Sequence, residues 1–207
     1  EWSINGHKGV QSIEDYIQKN SDSKFYPDKG ESIKHKNISD NIVLITVDTQ
    51  WFLEDWNNDP YINDTSEIKN RTLFLLEFKN RLKKAHGKVI LVALHHPIET
   101  NTKQGFVSNV GGASTQDFNN EEYRSLRNKL KTLAQGEDNV IFISGKDENL
   151  QYINKGVPQI ISGAIGKTKN VSNVSEGDFG LAKNGYAKLE IDITGNTIVK
   201  YYTVEKG

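Results

Sequence analysis

Val89-Ile90-Leu91-Val92-Ala93-Leu94-His95-His96-Pro97 is a short apolar run that stops at two histidines and a proline. It is too short for a buried helix and has no polar interruption, so it predicts a β-strand covered on both faces, as in parallel sheets. Two similar runs flank it. Ile42-Val43-Leu44-Ile45-Thr46-Val47 ends at Asp48, and Val140-Ile141-Phe142-Ile143-Ser144 ends at Gly145-Lys146-Asp147-Glu148. The segments between them carry helical spacing, and strands alternating with helices predict an α/β fold. Ligand sites of such folds collect at the C-terminal ends of the strands, so Asp48, His95 and Gly145 are expected on one rim.

Working outward, Ser66 to His86 reads as a helix, with Leu75, Phe78 and Leu82 facing the core, basic residues in its last turn and Gly87 as its stop. Asn120 to Ala134 reads as another, with Tyr123, Leu126, Leu130 and Leu133 on one stripe. Val10 to Lys19 predicts a first helix with Val10, Ile13 and Ile17 on its apolar face. His7, in a glycine-flanked stretch, is expected in a surface loop. Ser21 to Asp40, Gln50 to Asp64 and Thr100 to Asn119 read as long loops, the second tied down by Trp51 and Trp56. Gln159 to Ser162 predicts a short strand. Tyr186 to Ile193 and Thr197 to Val204, joined at Thr194-Gly195-Asn196, predict a hairpin with one face in the core. With no repeat or linker, residues 1–207 are expected to form a single domain.

Composition narrows the function. The chain has 207 residues, 26% charged and 35% apolar, with a net charge of −1. Neither sign is concentrated as a nucleic-acid binder requires, and no window is apolar enough to span a membrane as a helix. The absence of cysteine excludes disulfides, thiolate metal sites and cysteine nucleophiles. The chain also has no methionine, which leads to the expectation that Glu1 is an internal residue of a longer protein. Asn-x-Ser/Thr triplets begin at Asn37, Asn63, Asn70, Asn170 and Asn173. In so asparagine-rich a chain they are read as chance matches. No glycine-rich phosphate loop is present.

The strand ending in His95-His96-Pro97 is similar to a block of the calcineurin-like metallophosphoesterases, in which a strand delivers a metal-binding His. Ser144-Gly145-Lys146-Asp147-Glu148-Asn149-Leu150-Gln151-Tyr152 resembles that family's Gly-His-Asp/Glu-His-Asn-Leu-Gln-Tyr block with both histidines replaced. Glu1-Trp2 resembles the residues directly after its Gly-Asn-His motif. Asp48-Thr49-Gln50-Trp51 and Gln159-Ile160-Ile161-Ser162-Gly163 extend the match through nearly the whole chain. The resemblance implies the second half of an α/β sandwich, with two mixed β-sheets flanked by helices. It further suggests bacterial relatives, often of the Bacteroidetes, in which such a domain precedes an outer-membrane β-barrel. That implies a periplasmic or outer-membrane setting and a protein or glycan partner.

Chemically the resemblance implies two divalent ions (Mn, Fe or Zn) that clamp a phosphate ester and activate a bridging water. His95 occupies a ligand position and is either a metal ligand or a strand-end His bonded to backbone. Glu148 could offer an oxygen ligand to a hard cation. Lys146 cannot ligate as an ammonium, and it is expected to replace the missing positive charge, pairing with Glu148, Asp147 or an upstream aspartate. His96 is expected to orient or pack rather than ligate, and Asp48 to form an Asx-turn. Two readings stand side by side. One is a non-catalytic scaffold that holds no metal within this chain. The other is part of an active phosphoric ester hydrolase whose remaining ligands lie upstream of residue 1.

Overall fold

A computed structural model of the chain describes residues 6–26, 31–53, 68–102, 114–172 and 174–204, with side chains from residue 11 onward. Glu1-Trp2, Trp56 and Ser66 lie outside the described residues. The elements run α1 (Gly6–Asn20), β1 (Ile33–Asn37), β2 (Ile42–Val47), α2 (Thr49–Leu53), α3 (Arg71–Lys84) and β3 (Val89–Leu94). They continue with α4 (Glu121–Ala134), β4 (Val140–Ser144), β5 (Leu150–Asn154), β6 (Pro158–Ser162), β7 (Phe179–Leu181), β8 (Gly185–Ile191) and β9 (Thr197–Thr203).

The main sheet has seven strands in the order β1-β2-β3-β4-β6-β5-β7. The three strands expected from their apolar runs lie side by side and parallel, with Val47 opposite Leu94 and Leu94 opposite Ser144. This register carries Asp48, His95 and Gly145 out at one rim. β6 continues the parallel set, while β1, β5 and β7 are antiparallel to their neighbours. The second sheet has two strands and is antiparallel rather than mixed: β8 pairs with β9 from Gly185↔Thr203 to Ile191↔Thr197. Gly195 turns the hairpin at φ +87°, in the left-handed region that glycine tolerates.

One face of the main sheet is covered by α3 and α4. There Phe74, Phe78 and Leu82 meet Leu126, Leu130, Val43, Ile45, Ile90, Val92 and Phe142 in one core. The hairpin covers part of the other face, where Val89, Ile141 and Ile160 form a smaller buried cluster beside half-buried Leu91, Leu189 and Val199. β2 therefore differs from the expectation of full burial on both faces. Val43, Ile45 and Val47 are buried, whereas Ile42, Leu44 and Thr46 are half-buried, because the two-strand hairpin is too narrow to seal that side.

Local chemistry sets the helix ends. Asn70 caps α3 by accepting the Leu73 N–H at 2.9 Å, and Asn120 caps α4 by accepting from Glu122 and Tyr123. Gly87 follows α3 at φ +79°. The core stripe of α3 begins at Phe74, one residue before the expected Leu75, which is half-buried. α1 corrects its expectation more strongly. It begins at Gly6, so the backbone at His7 is helical rather than looped. Ile13 is 51% exposed, while Glu14 is buried and accepts from Gln18 at 2.9 Å. Within the stretch expected to be one loop, Ile33–Asn37 pairs with β2 as a sheet edge.

Candidate functional site

The rim is built from three strand ends. After β2, the Asp48 carboxylate accepts the Trp51 backbone N–H at 3.0 Å and starts α2, while Trp51 is buried and stacks on Phe74 at 5.2 Å. After β3, His95 is half-buried and His96 fully buried, their rings edge-on at 4.8 Å. After β4 the chain makes a strained turn in which Asp147 has φ +87° and Glu148 φ +48°. Non-glycine residues rarely adopt such angles unless their surroundings enforce them. Two contacts frame the turn. The Lys146 N–H donates to the His95 carbonyl at 3.2 Å, which ties the second and third strand ends together. Gly163 packs so closely that a Cβ there would collide with the Gly145 oxygen and lie 3.0 Å from the Glu148 nitrogen.

His96 sits at the centre of a polar chain. Its Nδ1 is 2.7 Å from Thr49 Oγ1, and its Nε2 is 2.7 Å from Gln116 Oε1. An amide oxygen only accepts, so Nε2 carries the proton and Nδ1 accepts the Thr49 hydroxyl. The same Gln116 oxygen accepts from the Lys146 ammonium at 2.9 Å, while the Gln116 amide donates to Gln50 Oε1 at 2.5 Å. Burial, and next the charge of Lys146, hold the His96 pKa down at about 3, so the ring is neutral. Below it, Tyr123 meets the His96 ring at 5.3 Å and donates its hydroxyl to the Pro97 carbonyl at 2.7 Å. Burial and then the Asp147 carboxylate push the Tyr123 phenol well above its ordinary range.

Lys146 thus donates to an amide oxygen, a partner outside the carboxylates named for it. Glu148 faces the other way, with Lys169 Nζ 3.4 Å from its carboxylate and its carbonyl accepting the Lys169 N–H at 2.9 Å. Asp147 is 9% exposed, and its buried Oδ2 accepts no hydrogen bond. Gln116, which joins His96 to Lys146, was read only as part of a glycine- and asparagine-rich loop. Nothing local in that loop marks it, because its role arises from residues on three other segments. Asn149 and Gln151, both buried, form a second polar cluster: each donates to Thr102, and Gln151 also accepts the Asn101 N–H at 2.8 Å. Those two side chains moor the segment beyond His95-His96-Pro97 to β5.

Among the described residues, the donor chemistry at this rim does not fit a pair of divalent cations. Both His96 nitrogens are engaged, Glu148 faces an ammonium, and Lys146 brings a positive charge to the rim. Among the described residues no three His, Cys, Asp or Glu side chains gather as a metal-holding group. Such a pair needs several anionic or imidazole ligands in fixed geometry.

No protein-family model matches the sequence, and no curated protein matches it. The fold is similar to that of the solved structure described as GAP50, the anchor in the inner membrane complex of Plasmodium. The TM-score is 0.59 at 18% identity, and the match covers 96% of this chain and 58% of that chain. An identity this low speaks to architecture alone. The fold is α/β, a seven-stranded mixed sheet and a small second sheet flanked by helices. This chain spans 58% of the length of that solved chain. Among the described residues no helix is long and apolar enough to cross a membrane.

Proposed function

We propose that this chain is a metallophosphoesterase-like domain serving as a non-catalytic scaffold, which holds a protein partner and does not turn over a phosphate ester. One observation carries the reading: the Lys146 ammonium is bonded to Gln116 in the same chain of contacts that keeps His96 neutral and buried. In the resemblance that position belongs to a metal-binding histidine. A lysine held there places a fixed monovalent cation at the rim, and a divalent ion beside it would meet direct repulsion. The ion pair of Glu148 with Lys169 supports the same reading, since it turns that carboxylate toward an ammonium. GAP50 is an anchor; carried to this chain, such a role suits a scaffold better than a hydrolase.

The test is metal uptake and turnover by the purified chain. Calorimetric titration with Mn²⁺ and Zn²⁺ is expected to give no saturable site involving His95, and aryl phosphate hydrolysis is expected to stay at the rate of buffer plus metal. Saturable turnover that vanishes in His95→Ala would overturn the scaffold reading. It would favour the opposing view, in which this chain is part of a metal-dependent phosphoric ester hydrolase.

A further inference from the structure

The outer surface of α3 and α4 is unusual for helices whose inner faces already fill a core. α3 carries four consecutive apolar residues, Leu73-Phe74-Leu75-Leu76, and only Phe74 is fully buried. Leu75 is half-buried, and Leu76 is 50% exposed. A run of this kind leaves apolar surface outside the core stripe of an amphipathic helix. Between the two helices this surface forms a groove of about 450 Å³ floored by Leu75, Leu76 and Leu133 and rimmed by Lys79, Asn128, Lys129 and Thr132.

The charge around the groove is one-sided. Glu77 is the single acidic residue of α3, and it is engaged by Arg81. Glu121 and Glu122 lie in the first turn of α4, and Glu122 is engaged by Arg71. The last two turns of both helices contain no carboxylate, whereas Lys79, Lys83, Lys84 and Lys129 stand exposed there. Lys131 is the exception, paired with Glu99.

We propose that this groove docks an amphipathic helix of a protein partner, with leucine-like side chains on one face and Asp or Glu on its flanks. Apolar anchors spaced i, i+3, i+4 and i+7 fill a groove between two helices, and acidic flanks meet Lys79 and Lys129. A second copy of the same face would oppose lysine to lysine. The proposal names the partner class for the scaffold reading and rests on it. Its test reads peptide binding, so failure here leaves the metal titration at the rim free to stand or fall separately.

The probe is a fluorescein-labelled helical peptide with leucine at that spacing and glutamate on its flanks, titrated into the chain by fluorescence anisotropy at low salt. Saturable binding is expected. The double variant Lys79→Glu/Lys129→Glu, at exposed positions that leave the fold intact by circular dichroism, is expected to weaken it by about tenfold. A matching peptide with lysine flanks is expected to prefer the double variant. Equal affinity of the two peptides for the unmodified chain would overturn the proposal, as would binding undiminished in the double variant. So would the absence of peptide binding, whether or not the chain sediments with anionic vesicles or self-associates through Leu76.

Discussion

Asp147 holds φ at +87° with a side chain only 9% exposed, a combination that costs the fold twice. The backbone angle suits glycine, and the carboxylate leaves Oδ2 buried without a hydrogen bond. Asp147→Gly is therefore expected to stabilise the chain by about 1 kcal/mol, the relief of strain exceeding the extra freedom that glycine gives the unfolded chain. Urea denaturation of the two proteins checks this, and a destabilised variant would mean that Asp147 has a favourable partner. His96 yields a prediction on pH. The unfolded ring titrates near 6.5 and the folded ring at about 3, so between those values the unfolded state binds the additional proton. Stability should be level above about pH 6.5 and then fall with acidification, by at most about 1.4 kcal/mol per pH unit from this residue. His96→Gln, which does not titrate, should be less stable at neutral pH and show a shallower acid slope in the same urea series. Parallel slopes would show that His96 does not contribute.

At the scale of elements, each sheet face has a different backing. Phe78 of α3 is fully buried in a core of large side chains, whereas Leu189 of β8 packs half-buried on the smaller cluster behind the hairpin. Phe78→Ala is expected to cost about 3–5 kcal/mol, and Leu189→Ala about 1–2 kcal/mol because part of that side chain already meets water. Equal losses in thermal or urea unfolding would show that the hairpin seals its face better than the burial pattern implies. The elements also differ in how visible they were. β2, β3, β4, α4 and the hairpin announce themselves by apolar periodicity. β1 does not: its sequence Ile33-Lys34-His35-Lys36-Asn37 has one apolar residue. It is an edge strand that gains its place from pairing with β2, and its lysines suit an exposed sheet edge. α1 shows the reverse case, in which periodicity predicted a helix but not its buried position, since Ile13 faces water and Glu14 does not.

For the whole molecule, the sequence by itself determined the α/β class, the three parallel strands and the rim where their ends meet, because each depends on periodicity and on the short-range rules of strands and turns. It also set the strands ending at His95 and Gly145 side by side, since strands consecutive in a parallel set with helical crossovers tend to be neighbours. Only the tertiary structure decided what those side chains do. Gln116 reaches His96 and Lys146 from a distant segment, Lys169 pairs with Glu148, and Gly163 leaves room for the turn from Gly145 to Glu148. Each of these is a contact between residues far apart in the chain, fixed by packing and by the need of buried polar atoms for partners. A local pattern carries no record of such contacts, which is why the rim of strand ends was legible and the partners of its side chains were not.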